Sequence, residues 1–159
     1  MRILASVQDL LEALAARKLT LAVAEGDTGG LLLERLTAVP GSSSVILGGV
    51  VAYADDLKRA VLGVSSVVLS ERGAVSAEVA EAMAAGVRRV ARADVGVATT
   101  GIAGPGGATP SKPVGLAYVA ASLGEQTLVR EHRWSGDRAS NRAASVDAAI
   151  DLTLELLEK

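Results

Sequence analysis

The stretch Val95-Gly96-Val97-Ala98-Thr99-Thr100-Gly101-Ile102-Ala103-Gly104-Pro105-Gly106-Gly107 decides how the chain is read. Its first half, Asp94 to Thr99, is an apolar β-like run, and it feeds a loop holding four glycines and a proline. The loop continues through Thr109-Pro110-Ser111-Lys112-Pro113, after which Gly115–Ser122 is apolar again. Glycine lets bare backbone N–H groups approach a ligand, because no Cβ stands in the way. Successive N–H groups in such turns form a nest for a phosphate or a developing oxyanion. The plainer reading is a strand-to-strand connection that needs positive φ. The length of the loop, its Thr-Thr entry and its Thr-Pro-Ser-Lys-Pro exit favour an active-site loop.

Outward from that loop, composition bounds the answer. A chain of 159 residues predicts a single domain over 1–159, long enough to bury a substantial core. Half the residues are hydrophobic, yet there is no Phe, one Trp and two Tyr, so the core is built from Ala, Val, Leu and Ile. Abundant Ala and Gly predict helices packed closely on a sheet. A net charge of -2 with interspersed signs gives no basic field for nucleic acid and no polybasic patch for a membrane. The near-absence of aromatic residues also argues against base stacking. No run reaches membrane-spanning length, the first residues do not read as a signal peptide, and the lack of cysteine fits a reducing compartment. The expectation is a cytoplasmic protein.

The remaining segments alternate helix and strand. Ser6 with Asp9 has capping-box spacing, and Val7, Leu10, Leu11 and Leu14 follow at helical period until Lys18. Leu19–Glu25 reads as a central strand that ends in Gly26-Asp27-Thr28-Gly29-Gly30, with Asp27 or Thr28 as the N-cap of a helix carrying Leu32, Leu33 and Leu36. A helix N-terminus in that position can receive an anion. Val45–Tyr53 is a second β-like run and a helix starts at Asp55 or Asp56. Val64–Leu69 is a connector with no assigned element. Ser76 caps a helix whose buried stripe is Val79, Met83, Val87 and Val90. Gly124-Glu125 joins Gly115–Ser122 to Gln126–Trp134 as an antiparallel hairpin. The last helix carries Val146, Ile150, Thr153, Leu154 and Leu157, with Leu152 and Leu156 covering the sheet more broadly. The order predicts an α/β class, a single layered domain with a mixed β-sheet and helices on both faces.

With these segments in place, the chain resembles the C-terminal domain of the competence/damage-inducible CinA family, which also occurs as stand-alone nicotinamide-nucleotide amidases. The resemblance rests on Thr100-Gly101-Ile102-Ala103-Gly104-Pro105-Gly106-Gly107 with Thr109–Gly115, and on Ala24-Glu25 with Thr28-Gly29-Gly30. Tyr53 with Lys58, Gly73-Ala74-Val75-Ser76, and Gly136-Asp137-Arg138 with Arg142 complete it. It implies hydrolysis of the carboxamide of nicotinamide mononucleotide, with a serine nucleophile, a buried lysine as general base and backbone N–H groups stabilising the oxyanion. It also implies a homo-oligomer and no cofactor. The N-terminal domain of longer members, with any activity it carries, is not expected here.

One departure governs the functional expectation. The family motif Ala-Glu-Ser-x-Thr-Gly-Gly stands here as Ala24-Glu25-Gly26-Asp27-Thr28-Gly29-Gly30, so Gly26 occupies the nucleophile position and the hydroxyl is missing. Loss of a covalent nucleophile removes several orders of magnitude of rate. Thr28 as a substitute nucleophile, Asp27 as a base or nucleophile, and a water held by Lys58 are the possible rescues. The resemblance gives the catalytic set as the Gly26 position, Lys58, Tyr53 and Thr100. Substrate contacts fall to Glu25, Asp27, Thr28, Gly29, Gly30, Gly101, Gly104, Gly106, Gly107, Arg138 and Arg142. One of the two arginines would fork onto a phosphate and the other pair with Asp137, which reads as a helix cap or an arginine partner. The lone His132 reads as a surface residue, with no metal site, and Trp134 as core or interface packing. The reading is an impaired nicotinamide mononucleotide amidohydrolase; the alternative is a non-catalytic nucleotide-binding or regulatory module tied to competence or DNA damage.

Overall fold

The computed structural model describes residues 5–159; the first residues, read above against a signal peptide, lie outside it. Six helices surround five strands, in the order α1 (Val7–Arg17), β1 (Leu21–Glu25), α2 (Leu31–Thr37), β2 (Ile46–Val51), α3 (Asp55–Ala60), α4 (Ser66–Arg72), α5 (Ala77–Ala91), β3 (Val95–Gly101), β4 (Leu116–Leu123), β5 (Gln126–Arg133) and α6 (Arg138–Leu157). The sheet runs β2-β1-β3-β4-β5. β1 is parallel to both β2 and β3, whereas β3–β4 and β4–β5 are antiparallel. The mixed α/β sheet read from the sequence is the observed one. Among the described residues no helix is long and apolar enough to cross a membrane.

Strand parity sorts the core into two layers. Leu21 and Val23 of β1, Val95 and Val97 of β3, and Val119 and Ala121 of β4 pack with α1, α2 and α6. The alternate positions, Ala22, Ala24, Ala98 and Ala120, pack with Val79, Ala80, Met83, Ala84 and Val87 of α5. Small residues face α5 because that helix lies almost on the sheet. A Cβ on Gly96 would stand 2.1 Å from the carbonyl oxygen of Ala84, a backbone atom with no rotamer to yield. Gly96→Ala is therefore expected to destabilise the fold by about 3 kcal/mol, read as a lower denaturant midpoint with an unchanged slope.

Several local expectations are confirmed and others corrected. The Ser6–Asp9 capping box is present, and Lys18 ends α1 in the left-handed region at φ 55°. Ser76 caps α5, and Asp137 caps α6 by accepting from the Ser140 N–H at 2.8 Å. The unassigned connector holds the start of α4, which runs on to Arg72 and which Ser65 caps by accepting from the N–H groups of Val67 and Val68. Val90, placed in the buried stripe of α5, is 51% exposed, and Ala91 is the residue of the last turn that packs against this layer. On α6, Leu152 and Leu156 are buried while Leu154 is half-buried, so the helix covers the sheet broadly.

Candidate active site

The functional chemistry gathers beyond the carboxyl ends of the parallel strands. β1 leads through α2 to β2 on one side, whereas β3, on its other side, leads into the glycine loop and β4. Loops that depart in opposite directions leave a crevice between them, the usual ligand position of an open α/β sheet. The crevice is a cleft of about 240 Å³ lined by Gly26, Asp27, Tyr53, Asp55, Lys58, Ala74, Val75, Arg138 and most of the segment from Thr100 to Gly107. Size does not select it. A hollow of about 320 Å³ between β5 and α6 is larger, but its charges Arg130 and Glu155 are paired at 2.7 Å and its walls carry Trp134, Ala148 and Leu152.

The floor is made by β1 and β3. Gly26 extends the ladder by donating its N–H to the Thr99 carbonyl at 2.9 Å. A Cβ at position 26 would lie 3.1 Å from that same oxygen and 3.8 Å from Thr100 Oγ1, so a small side chain there would point at the cleft residue Thr100. The Thr100 hydroxyl donates to the carbonyl of Ala74 at 2.7 Å, tying the floor to the segment before α5. Its hydrogen is thereby engaged, and the hydroxyl meets a ligand as an acceptor.

Lys58 enters from α3 and is 3% exposed, a strong departure from ordinary lysine behaviour. Its ammonium donates to the Tyr53 carbonyl at 3.2 Å and lies 3.6 Å from Asp55 Oδ1. The exposed ring of Tyr53 stands at the mouth, where its hydroxyl accepts from Arg138 Nη2 at 3.4 Å. Arg138 also donates to the Gly104 carbonyl at 2.8 Å, and buried Asn141 donates to the Ala103 carbonyl at 3.1 Å. The first turn of α6 thus holds the glycine loop in place. Gly104 has a φ of 86°, a left-handed conformation that a side chain disfavours. Among the described residues, the N–H groups of Ala103, Gly104, Gly106 and Gly107 take no partner within the chain, the condition for receiving an anion.

Asp27 is the unusual group. Burial pushes its carboxyl above the ordinary aspartate value, against the opposing pull of its own backbone N–H and of Arg142, Arg138 and Lys58. Oδ1 is buried without a hydrogen-bond partner. A carboxyl raised on folding supplies stability that is complete below its unfolded value near 3.8 and is lost as pH rises through the folded one. Asp27→Asn is accordingly expected to melt above the parent at about pH 7.5, with the gap closing toward about pH 4 in thermal melts across that range.

Five residues named from the sequence sit elsewhere. Glu25 is fully buried on the opposite face of β1, where Oε1 accepts from the Thr28 hydroxyl at 2.6 Å and the Leu32 N–H at 2.8 Å, and Oε2 from the Leu33 N–H at 3.1 Å. This corrects the cap of α2. Its N-cap is Gly30, with no side-chain bond, and the carboxyl of Glu25 serves the free N–H groups instead of Asp27 or Thr28. Thr28 is committed to Glu25 and, at 2.7 Å, to Thr99. The anion expected at this helix end is the protein's own, so Gly29 and Gly30 are turn residues outside the cleft. Arg142 spends its fork on the carbonyls of Asp27 at 2.9 Å and Thr28 at 2.8 Å. Among the described residues neither arginine pairs with Asp137, whose carboxylate is held low by the backbone N–H and hydroxyl of Ser140. Asp55, Ala74, Val75, Ile102 and Ala103 line the cleft beyond the set expected from the sequence, and for Ala74 and Val75 the Gly73–Ser76 match is the available signal. His132, read as surface, is half-buried and stacked on Trp134 with ring centres 4.6 Å apart.

The model of the CinA C-terminal domain matches residues 4–157. The chain belongs to the CinA C-terminal domain family. It is 47% identical over 145 residues to a CinA-like protein of Acidobacterium capsulatum, covering 91% of this chain and 35% of that protein. It thus spans about a third of the length of the curated relatives it matches. Among solved CinA structures, competence/damage inducible protein CihA from Agrobacterium tumefaciens is 37% identical, with a TM-score of 0.88 and full coverage of both chains. A CinA superfamily protein from Klebsiella pneumoniae 700603 is 32% identical, with a TM-score of 0.91 over 97% of this chain and 99% of its own.

Proposed function

We propose that this CinA domain holds a nicotinamide mononucleotide-like nucleotide in the cleft and that amide hydrolysis in it is impaired. The observation that carries the reading is the meeting of Gly26, Lys58, Thr100 and the unpartnered N–H groups of the glycine loop around one cleft. Lys58, buried, and Arg138, exposed, supply positive charge for a phosphate, and the loop N–H groups supply an oxyanion site. Gly26 presents no atom to attack with. Thr28 is no substitute, since its hydroxyl is buried between Glu25 and Thr99.

Absence of the nucleophile equally supports a nucleotide-binding module that holds the amide unreacted. Ammonia release from nicotinamide mononucleotide by the parent and by Gly26→Ser separates the two. Turnover by the parent at the serine variant's rate overturns the impaired reading. We further propose self-association, supported by the uncovered edge strand β2, with Leu47 and Val51 exposed at 49% and 43%.

A further inference from the structure

We propose that Asp27 is the residue by which this cleft distinguishes an uncharged carboxamide from a carboxylate on its ligand. The inference rests on the reading that a pyridine nucleotide occupies the cleft. Three observations carry it.

Asp27 lines the cleft, and its carboxyl lies over Gly101, with Oδ2 2.8 Å from where a Cβ on that glycine would stand. Buried Oδ1 has no partner, whereas the carboxyl of Glu25, two positions away, accepts three donors. A buried acceptor without a donor is uncommon in a folded protein, and a functional role is one accepted explanation.

None of the surrounding cations hydrogen-bonds the Asp27 carboxyl. Arg142 is bound to the carbonyls of Asp27 and Thr28, Arg138 to Gly104 and the Tyr53 hydroxyl, and Lys58 to the Tyr53 carbonyl and Asp55. No ion pair to Asp27 forms among the described residues. What Oδ1 lacks is a donor within the chain, and a ligand carboxamide brings two N–H groups. A ligand carboxylate brings none and sets a like charge beside it, which builds rejection into the same atoms. Aspartate also stands at the one unspecified position of the motif Ala-Glu-Ser-x-Thr-Gly-Gly, next to the glycine that replaces serine. Glycine at 26 and aspartate at 27 together describe a cleft that reads an amide without consuming it.

Calorimetry with nicotinamide mononucleotide and nicotinate mononucleotide at about pH 7.5 tests this. The parent is expected to favour the amide by about tenfold or more. In Asp27→Asn, or Asp27→Leu if the first does not fold, the two affinities are expected to come within about threefold, mainly because the acid binds better. Equal affinities in the parent, or a preference that survives loss of the carboxyl, overturn the proposal and leave the nucleotide reading standing. Failure of both ligands to bind the parent overturns that reading and the proposal with it.

Discussion

Gly26→Ser is expected to raise ammonia release from nicotinamide mononucleotide by about 10³-fold, equivalent to about 4 kcal/mol of transition-state stabilisation. The backbone permits the change: position 26 is outside the left-handed region, and the nearest obstacle to a Cβ is the Thr99 oxygen at 3.1 Å, which must yield by a few tenths of an ångström. The side chain would extend toward Thr100, on the side where Lys58 and the glycine loop face the cleft. A hydroxyl there converts a binding cleft into a Ser/Lys pair facing unpartnered N–H groups, the combination that acyl transfer requires. The dependence on lysine is part of the expectation. Lys58→Ala in the serine background should return turnover to the parent level, whereas a gain that survives loss of Lys58 would mean that another group activates the serine. A parent that already matches the serine variant would place the working nucleophile elsewhere, and Asp27 would then be the first residue to replace.

Glu25→Ala is expected to lower stability by about 3–5 kcal/mol, a fall in Tm of roughly 6–20 °C for a domain of this size. Three donors lose their acceptor at once: the Thr28 hydroxyl and the N–H groups of Leu32 and Leu33. All three belong to the Gly26–Leu33 connection, and water reaches the site poorly because Glu25, Thr28 and Thr99 are each fully buried. Unsatisfied buried donors are more expensive than the bonds themselves are favourable. Glu25→Gln, which keeps one acceptor oxygen, should lose less. A Tm unchanged in Glu25→Ala, with ligand affinity alone reduced, would return Glu25 to the role of substrate contact.

Much of this molecule is legible along the chain. Alternation of apolar runs, Ser6, Ser76 and Asp137 as caps, and the Gly124-Glu125 turn follow from local chemistry, because each depends on residues three or four positions apart. The glycine loop is legible too, since a peptide that must turn repeatedly without side chains has few other compositions. Lys58 could be placed in the cleft only through the resemblance; its own neighbours read as a short surface helix. Strand parity contains one further clue. Glu25 has the parity of Leu21 and Val23, which face α2 and α6, whereas Thr100 has the parity of Ala98, which faces α5.

The sequence by itself determined the α/β class, the element order, the glycine loop and the glycine at position 26, all of which are properties of residue type and short-range spacing. Only the tertiary structure decided which polar groups line the cleft and which are committed to the scaffold. Glu25, Thr28 and Arg142 could not be told from Asp27 and Arg138 until the N–H groups of Leu32 and Leu33 and the carbonyls of Asp27 and Thr28 were seen to claim them. Hydrogen-bond partners lie up to 146 residues apart, and no spacing rule reaches that far. A buried donor or acceptor must find its partner within about 3 Å of space, and that search is settled by packing.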